Sequence, residues 1–369
     1  MSHKVSSCEV LVAGGGIIGA ACARAAAMRG LRVLICEPGP EPSAASAASA
    51  GMLASQIEPA DEQLRALSLR GRDLYDTLAP ALQETTGIDV GLRREGIVSL
   101  AFDETEAEAR RDAVARQRQA GLRSDWLEGT EVAERFPAAA SCLGALFAPE
   151  DGAVHAPLLT RALLEDAKRC GAKTAPARVE RINTILGRVT GAATSQGTVR
   201  AEHVVIAAGA WAPSIEGLPR RLPVEPVRGQ MAATPWPSAV PRTILHGDDA
   251  YIVPRADEAL LGSTMERVGF DATVTESGIA QILTSVLRLL PALAGRHITR
   301  TWAGLRPVTP DGRPIIGPDP DVRGVWYATG HGRNGVLLAG LTGEIIGSLI
   351  ATGSSDTEIA SVAPERFTS

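Results

Sequence analysis

Three glycines in the pattern Gly14-x-Gly16-x-x-Gly19 are the first residues whose types and spacing could do chemistry. An apolar run, Cys8 to Ala13, precedes them, and an alanine-rich helical stretch, Ile17 to Met28, follows and closes at Gly30. A second apolar run, Leu31 to Cys36, ends in Glu37 and Pro38. Strand, glycine turn, helix, strand and acid is the order of a dinucleotide-binding βαβ unit. Gly14 permits the tight turn, Gly16 the close approach of a pyrophosphate, and Gly19 close packing of helix on strand. The helix N-terminus adds unpaired N–H groups and a partial positive charge for phosphates. Glu37 can accept both hydroxyls of a ribose and would repel a 2′-phosphate, so FAD or NAD is expected rather than NADP.

A second turn of this kind lies near the other end of the chain. The strand VWYAT is followed by Gly330-His331-Gly332-Arg333-Asn334-Gly335 and then by an apolar helix through Leu349. A third buried strand, His203 to Trp211 (HVVIAAGAW), breaks at Gly209, where a chain in a doubly wound sheet passes a cofactor. Glycine turns at opposite chain ends imply one composite site and a discontinuous cofactor domain.

The elements that must position these turns are readable from periodicity. Ser43 to Ala50 has a linker's composition, but it runs straight into Gly51-Met52-Leu53 and also fits a small-residue loop packed on a ligand. Asp61 to Thr86 repeats leucines at helical spacing and predicts one long helix closed by Gly87. Gly96 to Phe102 predicts a strand; Glu104 to Ala120, Pro157 to Cys170 and Thr275 to Leu290 predict helices. From Pro223 to Leu261 the pattern turns to alternating segments with turn signals, which predicts an inserted antiparallel sheet.

With these blocks in order, the chain resembles the FAD-dependent D-amino-acid oxidase superfamily, and within it the glycine oxidase branch tied to thiamine biosynthesis. The matching stretches are GGGIIG (14 to 19), SAGML (49 to 53), VVIAAGAW (204 to 211), LPVEPVRGQM (222 to 231), YIVPR (251 to 255), WAGLRPVTPDGRPIIG (302 to 317) and GHGRNGVLLAG (330 to 340). The resemblance implies an α/β plus α+β fold: an FAD-binding, doubly wound Rossmann-like domain with an inserted antiparallel-sheet substrate domain. The first would comprise residues 4–91, 143–219 and 302–365, the second 92–142 and 220–301.

The resemblance further implies that Ile17 and Ile18 lie at the pyrophosphate, with Gly14, Gly16 and Gly19 forming the turn, and Glu37 and Pro38 at the ribose. Ser46, Ala50, Gly51 and Met52 would run along the diphosphate and flavin, Val179 at the adenine, and Gly209 beside the cofactor. Gly330, His331, Gly332, Arg333, Asn334, Gly335, Val336 and Leu337 would surround the flavin's pyrimidine end. Arg306 and Arg333 would face the substrate, with Tyr251 helping to hold its carboxylate. The implied reaction is oxidative deamination of glycine, sarcosine or a small D-amino acid to the imine and 2-oxo acid, with O2 reduced to H2O2. A dehydrogenase using another acceptor and a non-catalytic FAD-binding subunit are the alternatives. In sarcosine-oxidase relatives a cysteine in the C-terminal part tethers the flavin; here no cysteine follows Cys170, so the FAD is expected to be non-covalent. Gly332 stands where the family usually has a bulky aromatic.

Composition excludes several other classes. The formal charge is -5, and no Lys/Arg run compensates for it, so nucleic acid is not expected as a partner. Five cysteines without CxxC spacing suggest neither a disulfide framework nor a metal site, and buried reduced thiols are expected. The apolar stretch Val336 to Ile350 is interrupted by Glu344 and three glycines and is short for a membrane span. A cytoplasmic homo-oligomer without a signal peptide is the expectation.

Overall fold

The computed structural model describes residues 6–39, 44–58, 61–236 and 242–367. Ser43 and residue 4, the start of the expected cofactor domain, therefore lie outside the described residues. At the centre is a six-stranded sheet in the order Ile315–Pro318, Val325–Thr329, His203–Ile206, Val10–Ala13, Val33–Cys36, Lys173–Ala175. All neighbours are parallel except the edge strand Ile315–Pro318. Its four inner strands are buried on both faces, as a covered parallel sheet requires, while the edge strand Lys173–Ala175 is largely exposed. Val10, Val12, Val33 and Ile35 pack against the helix Ile17–Met28 and the final helix, Gly335–Thr352. The alternate residues Leu11, Ala13, Leu34 and Cys36 pack on a four-stranded sheet that contains Val179–Ile185 and Arg188–Thr194. Period-two alternation thus feeds two separate cores from one sheet.

The alanine-rich composition of the first helix has a packing reason. β-Carbons added at Gly343 and Gly347 of the final helix would run into Ala21 and Ala25 of the first, so small residues on both sides let the axes come close. The final helix is long and apolar enough to cross a membrane, but most of it is buried inside this molecule.

A second, eight-stranded sheet runs Arg300–Val308, Glu225–Pro235, Glu258–Gly262, Tyr251–Pro254, Ile244–His246, Ile97–Ala101, Gly144–Ala148, Asp125–Glu128. It is antiparallel apart from the pairing of Ile244–His246 with Ile97–Ala101. Gly144–Ala148 and Arg300–Val308 pair within this sheet, although the sequence boundaries at 143 and 302 assign nearly all of both strands to the cofactor domain. One face packs Val98, Leu100 and Ile252 on the amphipathic helix Glu276–Leu289. The other carries Met231, Tyr251, Val253 and Trp302, packed with Ala50 and Met52. This second face looks toward the cofactor sheet.

Two expectations are corrected. The long helix over Asp61 to Thr86 is two helices, Glu62–Asp73 and Tyr75–Thr86. At the break the Arg72 carbonyl accepts a hydrogen bond from the Arg94 guanidinium at 2.7 Å, which competes with the helix's own ladder. The cysteines are all free, but only Cys8, Cys22 and Cys36 are buried; Cys142 is half-buried and Cys170 exposed.

Candidate active site

Between the two sheets lies a cavity of about 640 Å³. The βαβ turn supplies Gly14, Gly16, Ile17 and Ile18 to its wall, and the second strand supplies Glu37 and Pro38. Gly14 has φ +107°, and a β-carbon there would strike the Ala207 carbonyl, so only glycine fits the turn. The helix starting at Ile17 has Gly16 as N-cap and therefore no side-chain cap. The Ile17 N–H is met instead by Ser46 Oγ at 2.9 Å, which draws the small-residue loop onto the helix N-terminus. Glu37 accepts from the N–H groups of Gly15 (2.7 Å) and Gly39 (3.1 Å), which fixes its carboxylate at the rim with lone pairs to spare.

The loop that composition alone would make a linker contains the short helix Ala45–Ala48 and leads into Met52–Leu53. Trp302 Nε1 donates to the Ala48 carbonyl at 3.0 Å, and a β-carbon at Gly304 would collide with Ala48. Ser46, Ala50, Gly51 and Met52 line the cavity, as do Val179 and Gly209. The tryptophan that ends the VVIAAGAW block, Trp211, lines it too.

From the eight-stranded sheet come Tyr251 and Arg306. Trp302, Gly304 and Arg306 are spaced by two and share a face, as do Gly229 and Met231 on the neighbouring strand. The register sets Val227 opposite Arg306, which puts Gly229 diagonal to it. A β-carbon on Gly229 would overlap the Arg306 guanidinium; the missing side chain is the berth in which that group lies. Arg306 Nη1 donates to the Thr264 carbonyl (3.2 Å) and Nη2 to Ser263 Oγ (2.7 Å). Burial draws its pKa below the ordinary arginine value, and the adjacent Tyr251 opposes that shift. Tyr251 is buried, its hydroxyl 3.4 Å from Met231 Sδ.

Thr264 is itself held. Its hydroxyl donates to Glu266 Oε2 at 2.8 Å and accepts from the Gln230 N–H at 3.0 Å. Glu266 is gripped by Nε and Nη2 of the buried Arg228 and by Gln230 Nε2. These contacts, the Arg228 pair foremost, hold its carboxyl at about 2.

His331, Gly332, Arg333, Gly335 and Val336 complete the wall. Arg333 donates to Glu58 Oε1 at 2.5 Å, and His246 Nε2 lies 4.0 Å from the same oxygen. His331 is buried with Nε2 3.0 Å from Thr342 Oγ1; Nδ1 has no partner among the described residues. Burial lowers its pKa to about 3, so the ring is neutral at working pH.

Four expected residues do not line the cavity. Gly19 packs against the Gly14 carbonyl, and Gly330 against Thr309. Asn334 is the N-cap of the final helix, with its N–H bonded to the His331 carbonyl. Leu337 belongs to the hydrophobic cluster around Tyr75. Conversely Glu58 lines the cavity and escaped the sequence reading; its only signal was an acid six residues beyond Met52. Gly229 and Thr264 were missed because their roles depend on strand register.

The residues present fit FAD. Two helix N-termini, at Ile17 and Gly335, meet the cavity with no cap bond from their own N-cap residue. Gly209 has open space where a side chain would be, and a buried ring nitrogen of His331 lacks a partner on the wall. Among curated relatives, the glycine oxidase of Geobacillus kaustophilus is 36% identical over 373 residues, 98% of this chain and 96% of that protein. The bifunctional protein ThiO/ThiG of Trichormus variabilis is 35% identical over 97% of this chain, which spans 55% of it. The crystal structure of the Geobacillus kaustophilus glycine oxidase superposes with a TM-score of 0.94 at 35% identity, covering 99% of this chain and 100% of that one. The model of the DAO family, FAD dependent oxidoreductase, matches residues 9–349, from the first βαβ strand into the final helix, and so takes in every wall of this cavity: the chain belongs to that family of FAD-dependent enzymes.

Proposed function

We propose that the chain oxidises a small amino acid or amine, namely glycine, sarcosine or a small D-amino acid, to its imine. Water then converts the imine to the 2-oxo acid, and O2 takes the electrons as H2O2. The observation that carries this reading is Arg306. Its guanidinium lies on the cavity wall, bonds to the Thr264 carbonyl and the Ser263 hydroxyl with Tyr251 beside it, and has no carboxylate in ion-pair contact among the described residues. A partly desolvated cation without an anion is costly unless a ligand supplies one. A substrate carboxylate does so, and the planar fork grips it by two hydrogen bonds.

Fixing the carboxylate fixes Cα, and Tyr251 on the same wall narrows its choice of position. Bound FAD supplies the two-electron acceptor for the hydrogen leaving Cα with its electron pair. As that bond breaks the nitrogen lone pair forms C=N, leaving an iminium that later sheds its proton to water; an amine that arrived charged would first have to give up a proton. His331 is not placed to take it, because its Nε2 is committed to Thr342 and the ring is held neutral by burial. The substrate amine therefore enters neutral. The relatives named glycine oxidase support the small-substrate reading, and the thiamine-biosynthetic setting expected from the sequence belongs to the same proposal.

The test is anaerobic mixing of the purified yellow protein with glycine, sarcosine and small D-amino acids. Bleaching of the flavin, then recovery with H2O2 on admitting air, is the expected outcome. Bleaching without recovery in air makes it a dehydrogenase. A flavin that stays oxidised with the whole panel overturns the enzyme reading in favour of a non-catalytic subunit. Acid precipitation should leave the flavin in the supernatant, since FAD is proposed to be non-covalent.

A further inference from the structure

The YIVPR block contributes Tyr251 to the site, but its arginine has no part in the chemistry above. Arg255 lies just past the strand Tyr251–Pro254 and reaches the back of the cavity wall. Its Nη2 donates to the Ala50 carbonyl at 3.0 Å and, more weakly, to the Val154 carbonyl at 3.5 Å. No carboxylate stands within ion-pair distance among the described residues, and burial brings its pKa down to about 10. A half-buried cation aimed at backbone carbonyls needs a reason.

We propose that Arg255 is a positioning residue for FAD, locking the Ala50–Gly51 peptide on the cavity wall and adding positive charge behind it. In a trans peptide the N–H and C=O point opposite ways. With the Ala50 carbonyl turned to Arg255, the Gly51 N–H faces away, and there it meets Ser49 Oγ at 3.1 Å. Ser49, Ala50 and Gly51 all line the cavity. The Gly51 carbonyl is tied back as well, accepting from the Val154 N–H at 2.9 Å. Gly51 has φ +79°, and a β-carbon there would overlap the Val154 carbonyl. Arg255 thus clamps two backbone segments, 50–51 and 154, so that the wall presents one surface to the cofactor. Its charge favours the reduced cofactor, on which negative charge gathers.

The inference rests on FAD binding and not on the substrate, so its test is read without turnover. Arg255→Met and Arg255→Lys are compared with the parent for FAD affinity of the apoprotein, reduction potential of the bound flavin, and thermal melting. Arg255→Met is expected to bind FAD roughly tenfold more weakly, equivalent to about 1.4 kcal/mol, and to show a lower potential. Arg255→Lys restores the potential but only part of the affinity, because an ammonium is a point charge without the fork. Acetate, as a probe of the Arg306 site, keeps its parent affinity for loaded Arg255→Met. If acetate fails to bind the parent too, the substrate reading fails while the Arg255 result stands. Parent-like FAD affinity in Arg255→Lys, or parent-like affinity and potential in a folded Arg255→Met, overturns the proposal. Should Arg255→Met not fold, the affinity of Arg255→Lys decides.

Discussion

Arg306 and the two glycines near it set what this site can recognise. The guanidinium occupies the space left by Gly229, so its direction is fixed by the neighbouring strand. Arg306→Ala removes two charge-assisted bonds to the proposed carboxylate, each of about 1.5–3 kcal/mol, and so should lower kcat/KM by at least roughly a hundredfold with the FAD spectrum retained. Equal rates of flavin reduction at low substrate concentration in variant and parent would mean that the arginine is structural. Gly332 acts by absence: its β-carbon position has only Val308 Cγ2 for company, at 4.0 Å. That room does nothing for glycine, whereas each methylene buried in an apolar pocket contributes about 0.8 kcal/mol. N-Alkyl glycines or small D-amino acids are therefore expected to exceed glycine in kcat/KM, and Gly332→Tyr should shift preference back. Because Gly332 has φ +52°, the variant should also melt lower than the parent. A substrate series and a melting curve on both proteins check this; a parent that prefers glycine, with no change in the variant, removes the position from the pocket.

At the scale of elements, one polar network turns two strands and a loop into a rest for Arg306. Arg228 and Gln230 on Glu225–Pro235 hold Glu266, Glu266 holds Thr264, and the Thr264 carbonyl receives Arg306. Glu266→Gln loses the paired acceptance from Arg228, so Thr264 is freed. The expected result is a several-fold rise in KM with kcat and FAD affinity little changed; Glu266→Asp should recover less than the parent, since the shorter arm cannot span both partners. An unchanged KM would show that Thr264 keeps its place without the glutamate. None of this network was legible in the sequence, because Gln230 and Glu266 meet through strand pairing across a long separation. The turns at Gly14 to Gly19 and Gly330 to Gly335 were legible, since their function lies in contiguous backbone. The small-residue loop lay between: its composition fitted a linker, and only its packing on Gly304 and Trp302 makes it a wall. The helix over Asp61 to Thr86 reads as unbroken for the same reason, since Arg94, which bonds the carbonyl at the break, lies outside the helical segment.

For the whole molecule, the two sheets meet around a large cavity, and the interior that encloses it also buries histidines in the neutral form. Burial lowers His246 to about 3, with Arg333 and Arg110 adding to the shift, and lowers His331 to about 3. His155 falls to about 4, again chiefly through burial with Arg255 beside it, and its Nδ1 accepts the Leu158 N–H at the start of a helix, a bond that protonation removes. An unfolded histidine titrates near 6.5, so below that pH the unfolded chain binds protons that the folded chain refuses. The stability these groups contribute is complete above about pH 6.5 and is lost progressively as pH falls toward their folded values. Each such histidine adds a slope of at most about 1.4 kcal/mol per pH unit. Glu266 acts in a lower window: its folded pKa of about 2 lies below its ordinary 4.5, so its contribution stands above 4.5 and fades beneath it. The melting temperature of the loaded protein should therefore be level from pH 8 to 7 and decline already between pH 6.5 and 5, before carboxylates titrate. His246→Gln should flatten that decline, because one fewer buried ring must be protonated, whereas Glu266→Gln should leave it and alter only the limb below 4.5. A parent profile that stays level down to pH 5 would show that these rings take up protons in the folded state, and that water reaches the interior around the cavity.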